Sequence, residues 1–194
     1  MTEEQDNDDV IDDTSADGTV PVEKYAITSF GIDFDVEGLV RRLQKRELYV
    51  AEFQRKFVWS QTESSQFIES LLLGLPVPGV FLAREHDSQK LMIIDGQQRL
   101  MSLLFFYDGY FRPSETAKTK SVFSLTKVQK QFEGKTYDTL LEDDRIRLDN
   151  SVIHATILKQ ENPVEQEDSS LYYVFGRLNS GGRKVSPQEI RTAI

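Results

Sequence analysis

An apolar strand that runs directly into an apolar helix is the strongest constraint on the fold. Residues 90–95 form a short apolar run, Gly96 follows, and leucines at 100, 103 and 104 continue at helical spacing. Another apolar run, 79–84, precedes it across the turn-like residues 86–89, which predicts a β-hairpin. A hairpin whose second strand opens a helix through a tight turn favours a sheet with packed helices. We therefore predict an α/β (α+β) fold, a mixed sheet with flanking helices.

Capping residues and apolar spacing predict further helices. Asp35 can cap a helix whose positions 36, 39, 40 and 43 are apolar, the spacing of one buried stripe. Ser60 and Glu63 form a capping box at the start of a second helix, and Gly74 can end that helix in the left-handed conformation. A later helix is expected from about Ser170. Its predicted buried residues are Leu171, Val174, Phe175 and Leu178.

The remaining segments are assigned more coarsely. Strands are expected at 25–32, 48–51 and 151–158, whereas 112–149 is expected to contain loops and short strands. A last capping box at 186–189 lies within about two turns of Ile194, and a helix of that length is unstable alone. We therefore expect either that a longer natural protein was cut at Ile194 or that this gene product is a fragment.

The net charge of −9 belongs mainly to the first twenty residues, which hold eight acids and no Lys or Arg. The rest has 24 acidic and 23 basic residues, or about −1. A polar segment of one charge sign buries too little apolar surface to offset its ordering entropy. We therefore predict a disordered acidic tail at 1–21 and one domain at 22–194.

Composition excludes several classes of site. The chain of 194 residues has no Cys and two His, which removes disulfides, thiol nucleophiles and Cys-ligated metals and makes a histidine-built metal site improbable. Neither an apolar run of about 20 residues nor a signal peptide is found. We expect a cytosolic (cytoplasmic) protein without membrane contact.

The segment Asp95-Gly96-Gln97-Gln98-Arg99, here called the DGQQR segment, holds the most informative chemistry. A strand ending in Asp-Gly before a helix presents free backbone N–H groups and the positive end of the helix dipole, which together bind anions. Arg99 can add a forked cationic contact, and the two glutamines can orient a water or a ribose. Asp95 can bind magnesium.

A plainer interpretation of the same residues is left open. Asp95 can cap the helix while Arg99 pairs with it at i+4 and the glutamines remain solvated.

Two other segments are similarly ambiguous. Gln54 and Arg55 could close over a nucleotide beside Phe53 and Trp59, or those aromatic rings could anchor the core. Residues 177–184 could bind phosphate or only end a helix.

Taken together, five segments in order resemble a known family. They read FQRKFVW at 53–59, SLLLGLPVP at 70–78, IDGQQRL at 94–100, FGRLNSGG at 175–182 and EIR at 189–191. This pattern resembles the N-terminal domain of GmrSD-type modification-dependent restriction enzymes, which is related to the ParB/sulfiredoxin fold. The resemblance covers about residues 27–194.

The resemblance implies a nucleotide-binding, regulatory domain in a DNA-targeting restriction or antiphage system. It implies binding, and in some members hydrolysis, of a nucleoside triphosphate (ATP or GTP) with Mg²⁺. The residues it implies for nucleotide binding are Gln54, Arg55, Gly96, Gln97, Arg99 and Asn179. Asp95 and Gln98 are the expected catalytic residues, and Asp95 the expected metal ligand.

The resemblance also bears on partners. Nuclease activity is not encoded in these residues, so DNA cleavage is expected from a C-terminal domain or a partner subunit. Homo-oligomerisation is left open. The alternative function is a non-enzymatic ParB-like DNA-binding module, to which Arg41, Arg42, Lys45 and Arg46 would contribute by contacting phosphates.

Overall fold

Five strands form one mixed sheet in this computed structural model, which describes residues 27–51, 54, 56–85, 88–112 and 121–160. The strands of the sheet are β1 (Ile27–Asp35), β2 (Leu48–Val50), β3 (Val80–Arg84), β4 (Leu91–Asp95) and β7 (Val152–Gln160). Their order across the sheet is β1-β7-β3-β4-β2. A separate pair joins β5 (Tyr110–Phe111) to β6 (Ser121–Val122). The fold class is the predicted mixed α+β class.

Pairing directions define the two edges of the sheet. β1 runs antiparallel to β7, and β3 runs antiparallel to β4 as the predicted hairpin. β2 is parallel to β4, and β3 is parallel to β7. Consequently β2 and β4 end at the edge where β3 and β7 begin. We call this the DGQQR edge, because β4 ends there at Asp95.

Within the described ranges, four helices pack together on one face of the sheet. They are α1 (Val36–Gln44), α2 (Gln61–Leu72), α3 (Gln97–Tyr107) and α4 (Glu142–Asp149). Their buried apolar residues join one cluster with the side chains that alternate strand positions direct toward them, such as Leu82, Ile93 and Ala155. Each fully buried Leu or Ile contributes about 1.5–3 kcal/mol of transfer free energy, so this layer is the main core.

The predicted helix starts are confirmed at α1 and α2. Asp35 accepts a hydrogen bond from the Gly38 N–H at 2.5 Å, and Ser60 and Glu63 form the complete capping box. The backbone N–H and hydroxyl of Ser60 lower the pKa of the Glu63 carboxyl, because both stabilise its ionised form. Gly74 has a φ of 70°, the predicted left-handed helix end.

The prediction for 112–149 was wrong in one respect, since it omitted α4. This helix is mostly charged, and Leu148 is its one buried residue, so it has no apolar stripe to detect. Glu142, Asp143 and Asp144 occupy its first turn, where the helix dipole favours acids. That clustering of acids is the signal that could have predicted it.

Several predicted features lie outside the described residues. They are the tail at 1–21, the helix from about Ser170 and the capping box at 186–189. Over the part of the chain that is described, no helix combines the length and apolar character needed to cross a membrane.

Candidate functional site

The DGQQR segment joins β4 to α3 at the DGQQR edge. Register places Asp95 opposite Phe81 near the start of β3, and Val80 beside Ala155 of β7. Val50, the last residue of β2, lies beside Ile93. The turn at Gly96 is therefore surrounded by the loops that enter or leave four neighbouring strands.

Gly96 is required at this turn for two reasons. Its φ of 98° lies in the left-handed region, which residues with a Cβ rarely adopt. A Cβ built there would also lie 2.4 Å from Cγ1 of Val80. Glycine thus permits both the backbone direction and the close packing of the turn against β3.

The N-terminus of α3 has no side-chain cap. Gly96, which has no side chain, occupies the N-cap position, and among the described residues no side chain caps this end of the helix. Asp95 is therefore not a helix cap, so that part of the plainer interpretation was wrong. The first backbone N–H groups of a helix have no partner inside it, and the dipole is positive at this end. Helix starts of this kind commonly bind anions in other proteins.

Arg99 holds three parts of this edge together. Its Nη1 donates to the carbonyl oxygens of Pro78 and Gly79, both at 2.8 Å, and its Nη2 donates to Oδ2 of Asp95 at 2.8 Å. The Asp95–Arg99 pair at i+4 is thus found. The Arg99 side chain is only 13% exposed. Three of its five N–H groups are used within the protein, which fixes the plane of the guanidinium.

Gln98 is buried rather than solvated. Its Oε1 accepts hydrogen bonds from the backbone N–H groups of Val58 at 2.9 Å and Trp59 at 3.1 Å. The residue is 7% exposed, and its Nε2 has no hydrogen-bond partner among the described residues. Leaving a buried donor unpaired costs about 1–3 kcal/mol. Within the described part of the chain, this amide is therefore a donor without an acceptor, one residue inside the α3 N-terminus.

Gln54 is brought to the same place from the loop after β2. Its Nε2 donates a hydrogen bond to the carbonyl oxygen of Ile93, two residues before Asp95. Gln97, the first residue of α3, is half-buried. The structure therefore gathers Gln54 and the DGQQR segment, whereas Arg55 and Asn179 lie outside the described residues.

Asp95 is the carboxylate of the DGQQR segment, and a cation can reach it. Its side chain is 39% exposed, and one oxygen is paired with Arg99. Within the described ranges, Asp, Glu and His side chains nowhere form a group of three or more able to hold a metal ion. Asp95 together with phosphate oxygens suits Mg²⁺, which binds through one or two carboxylates and keeps several waters.

The ring of Trp59 belongs to the core. It is half-buried and meets Phe67 of α2 edge-on, with ring centroids 5.9 Å apart.

Sequence reasoning missed the carbonyl oxygens of Pro78 and Gly79, because backbone acceptors have no sequence signature. Gly79 offers a partial signal, since a Cβ there would lie 2.7 Å from the carbonyl oxygen of His154.

Comparison with known proteins identifies the family. The profile of the GmrSD restriction endonuclease N-terminal domain matches residues 36–194. The chain belongs to this family. Membership of this family associates the domain with restriction and defence proteins.

One curated relative places the domain in a longer chain. The Uncharacterized protein MJ0686 of Methanocaldococcus jannaschii is 28% identical over 159 residues, which is 68% of this chain and 25% of that protein. The chain therefore spans a quarter of the relative it matches. No solved structure gives a significant match.

Proposed function

We propose that this domain binds a nucleoside triphosphate with Mg²⁺ at the DGQQR edge and thereby regulates a DNA-targeting restriction or defence protein. The uncapped N-terminus of α3 beside Asp95 and Arg99 is the observation that supports this proposal most directly. Family membership supplies the restriction context. The DNA-cleaving activity belongs in this proposal to another part of the protein or to a partner subunit.

The residues at this edge fit a phosphate chain. Backbone N–H groups at the start of α3 donate to phosphate oxygens, and the two N–H groups of Arg99 that no described residue uses add charge-assisted donors. The Nε2 of Gln98, which has no acceptor among the described residues, supplies one more donor, and a phosphate oxygen would satisfy it. Gln54 and Gln97 line the approach.

When bound, magnesium would offset the negative charge of the phosphate oxygens. Asp95 is the residue that would hold it, through the oxygen that Arg99 does not use. For hydrolysis, Asp95 would also orient the attacking water, while the Nε2 of Gln98 would donate a hydrogen bond to a phosphate oxygen. In this assignment the Gln98 side chain does not move freely, because its Oε1 already accepts hydrogen bonds from the backbone N–H groups of residues 58 and 59.

A charge placed at the first residue of α3 tests the proposal. Gln97→Glu puts an anion where the phosphates would lie, and a like charge at about 4 Å costs about 1–4 kcal/mol. The fold should tolerate it, since an acid in the first turn of a helix stabilises by about 0.3–1 kcal/mol. We expect calorimetric affinity for ATP or GTP with Mg²⁺ to fall at least about tenfold.

Gln66→Glu is the matched control, because it adds the same charge at an exposed position of α2. It should bind as the unaltered chain does. Equal affinity of Gln97→Glu and Gln66→Glu for the nucleotide would contradict the proposed site. Release of inorganic phosphate, measured on the unaltered chain and on Asp95→Asn, tests hydrolysis separately from binding.

A further inference from the structure

A half-buried arginine lies at the end of the sheet that is opposite the DGQQR edge. β3 begins at the DGQQR edge with Val80 and ends at Arg84, which places Arg84 about 13 Å from that edge. Among the described residues, no carboxylate pairs with Arg84, and its buried Nε has no hydrogen-bond acceptor. Such a cation gains more from an anionic ligand than a fully solvated one does, because it has lost water without gaining an acceptor.

The Arg84 side chain lies on the face of the sheet that carries the helices. Register places Arg84 opposite Leu91, which belongs to the main core. From β3 the guanidinium reaches across β7 to Phe30 of β1, where Cζ lies 5.6 Å from the ring centroid. Stacking on an aromatic ring restricts the plane of a guanidinium, and a guanidinium of fixed plane suits bidentate contact with an oxyanion.

A second cation lies beside Arg84. Lys159 is the neighbour of Arg84 on the parallel strand β7, so the two side chains leave the same face from strands about 4.8 Å apart. Lys159 is exposed. Two positive charges at this distance favour an anion between them.

The acids near this end of the sheet are used by other residues. Glu85, which follows β3, accepts hydrogen bonds from the hydroxyls of Tyr49 and Ser88. Glu47, which precedes β2, pairs with Arg42 at 3.4 Å. Neither carboxylate is therefore positioned to offset the charge at the end of β3.

This surface also presents an aromatic ring to the solvent. Phe30 is 40% exposed, although it lies on the face that carries the helices. Proteins that bind single nucleic-acid strands combine cations, which contact phosphates, with aromatic rings, on which bases stack. A carboxylate ligand such as an acidic peptide would use the cations and leave the ring without a function.

We propose that Phe30, Arg84 and Lys159, here called the Arg84 site, bind one nucleoside phosphate unit. The phosphate lies on the two cations, and the base lies against the exposed part of the Phe30 ring. A single nucleic-acid strand and a free nucleotide both carry this unit, whereas the bases of a duplex are already stacked on each other. The Arg84 site is separate from the DGQQR edge and does not depend on the function proposed there.

Fluorescence anisotropy of a short labelled oligothymidylate, added to the full chain without triphosphate, tests this site. Arg84→Gln should lower the affinity at least about fivefold, because it removes both the charge and the forked donors. Phe30→Leu should lower it about fivefold or more, because the base loses its stacking surface. Arg147→Gln is the matched control, since it makes the same change at an exposed position of α4, and should bind as the unaltered chain does.

A second cation variant keeps the test valid if circular dichroism shows that Arg84→Gln does not fold. Lys159→Gln changes an exposed side chain and should also lower the affinity several-fold. Loss of one phosphate contact to a single strand reduces the slope of log affinity against log salt by about 0.7. We expect this reduction for Arg84→Gln and no change for Arg147→Gln. Unaltered affinity in folded Arg84→Gln or folded Lys159→Gln would overturn the proposal.

Competition identifies the source of the nucleoside phosphate. Displacement by unlabelled oligothymidylate at a concentration at least about tenfold below that of thymidine monophosphate, counted per nucleotide, assigns the site to a single strand. Equal displacement per nucleotide assigns it to a free nucleotide. Displacement by oligoglutamate of the same charge, as efficient as that by oligothymidylate, would overturn the choice of a nucleoside phosphate.

Gln97→Glu distinguishes the two sites of the domain. This variant should bind the labelled strand as the unaltered chain does, because Gln97 lies at the DGQQR edge. Loss of strand binding in Gln97→Glu, with none in Arg84→Gln, would place the strand at the DGQQR edge and overturn the Arg84 site. Strand binding that depends on Arg84, in a chain that binds no triphosphate, would contradict the proposed function alone.

Discussion

The guanidinium of Arg99 and the backbone of Gly96 fix the turn between β4 and α3 in different ways. Arg99 joins α3 to the carbonyl oxygens that precede β3, whereas Gly96 lets the chain pass against Val80. The sequence predicted Gly96 and the Asp95–Arg99 pair, because both depend on local spacing. It did not predict the burial of Gln98, since the Val58 and Trp59 N–H groups that hold it come from a distant loop.

Substitution of two glycines should separate conformational strain from steric overlap. Gly96 and Gly109 both have positive φ, 98° and 77°, but a Cβ at Gly109 meets nothing within 4 Å. Gly109→Ala should cost about 1–2 kcal/mol of unfolding free energy, the left-handed penalty alone. Gly96→Ala should cost about 1–3 kcal/mol more, because its Cβ overlaps Val80. Urea denaturation of both variants measures the difference, and equal losses would contradict the overlap.

At the scale of elements, predictions succeeded where an apolar stripe and a cap agreed. All four apolar positions of the predicted α1 stripe are buried, and β4 and α3 meet at Gly96 as expected. β1 continues to Asp35, beyond the predicted end at 32. Pairing with β7 extends it, and pairing between strands so far apart in sequence cannot be deduced from local pattern. α4 was missed for the related reason that its stability comes from tertiary contacts with α1 and α2.

Two tyrosines join α3 and the 3-10 turn at Tyr137–Thr139 to α4. The hydroxyls of Tyr107 and Tyr137 donate to Asp149 at 2.6 and 3.0 Å, and their rings stack with centroids 4.1 Å apart. Burial, and next the hydrogen bond to Asp149, raises the pKa of Tyr137 to about 12. The same causes, burial first, raise the pKa of Tyr107.

This cluster predicts a loss of stability at high pH. A pKa raised in the folded state gives a contribution that is complete below the unfolded value of about 10 and is lost as pH rises toward 12. We expect the urea midpoint to fall between pH 9 and pH 11. At pH 9, the urea midpoint of Tyr137→Phe should be lower than that of the unaltered chain. Between pH 9 and pH 11, its midpoint should fall by less. A fall of equal size in both proteins would contradict the assignment to this cluster.

Across the whole molecule, the charge distribution disfavours strong DNA binding by this domain alone. The net charge is −9, and residues beyond 20 still carry about −1. Of the four basic residues of the α1 region, Arg42 is paired with Glu47. Among described residues, Arg41, Lys45 and Arg46 have no acidic partner, but cations are ordinary at the end of a helix.

We therefore expect weak duplex DNA binding whose affinity changes by about tenfold or less between 50 and 200 mM salt. Proteins with 6–10 phosphate contacts lose about 10³–10⁵ in that interval. The double variant Lys45→Gln/Arg46→Gln should behave as the unaltered chain does in a filter-binding titration. A steep salt dependence that this variant reduces would favour the DNA-binding alternative.

The position of β7 between β1 and β3 also affects how the chain is made. Asp33 and His154, neighbours across β1 and β7, are 121 residues apart. β1 therefore emerges from the ribosome long before its hydrogen-bonding neighbour is synthesised, and the five-stranded sheet cannot be completed until β7 has emerged. Throughout that interval the nascent domain exposes unpaired strand edges, which are the surfaces that chaperones protect against aggregation.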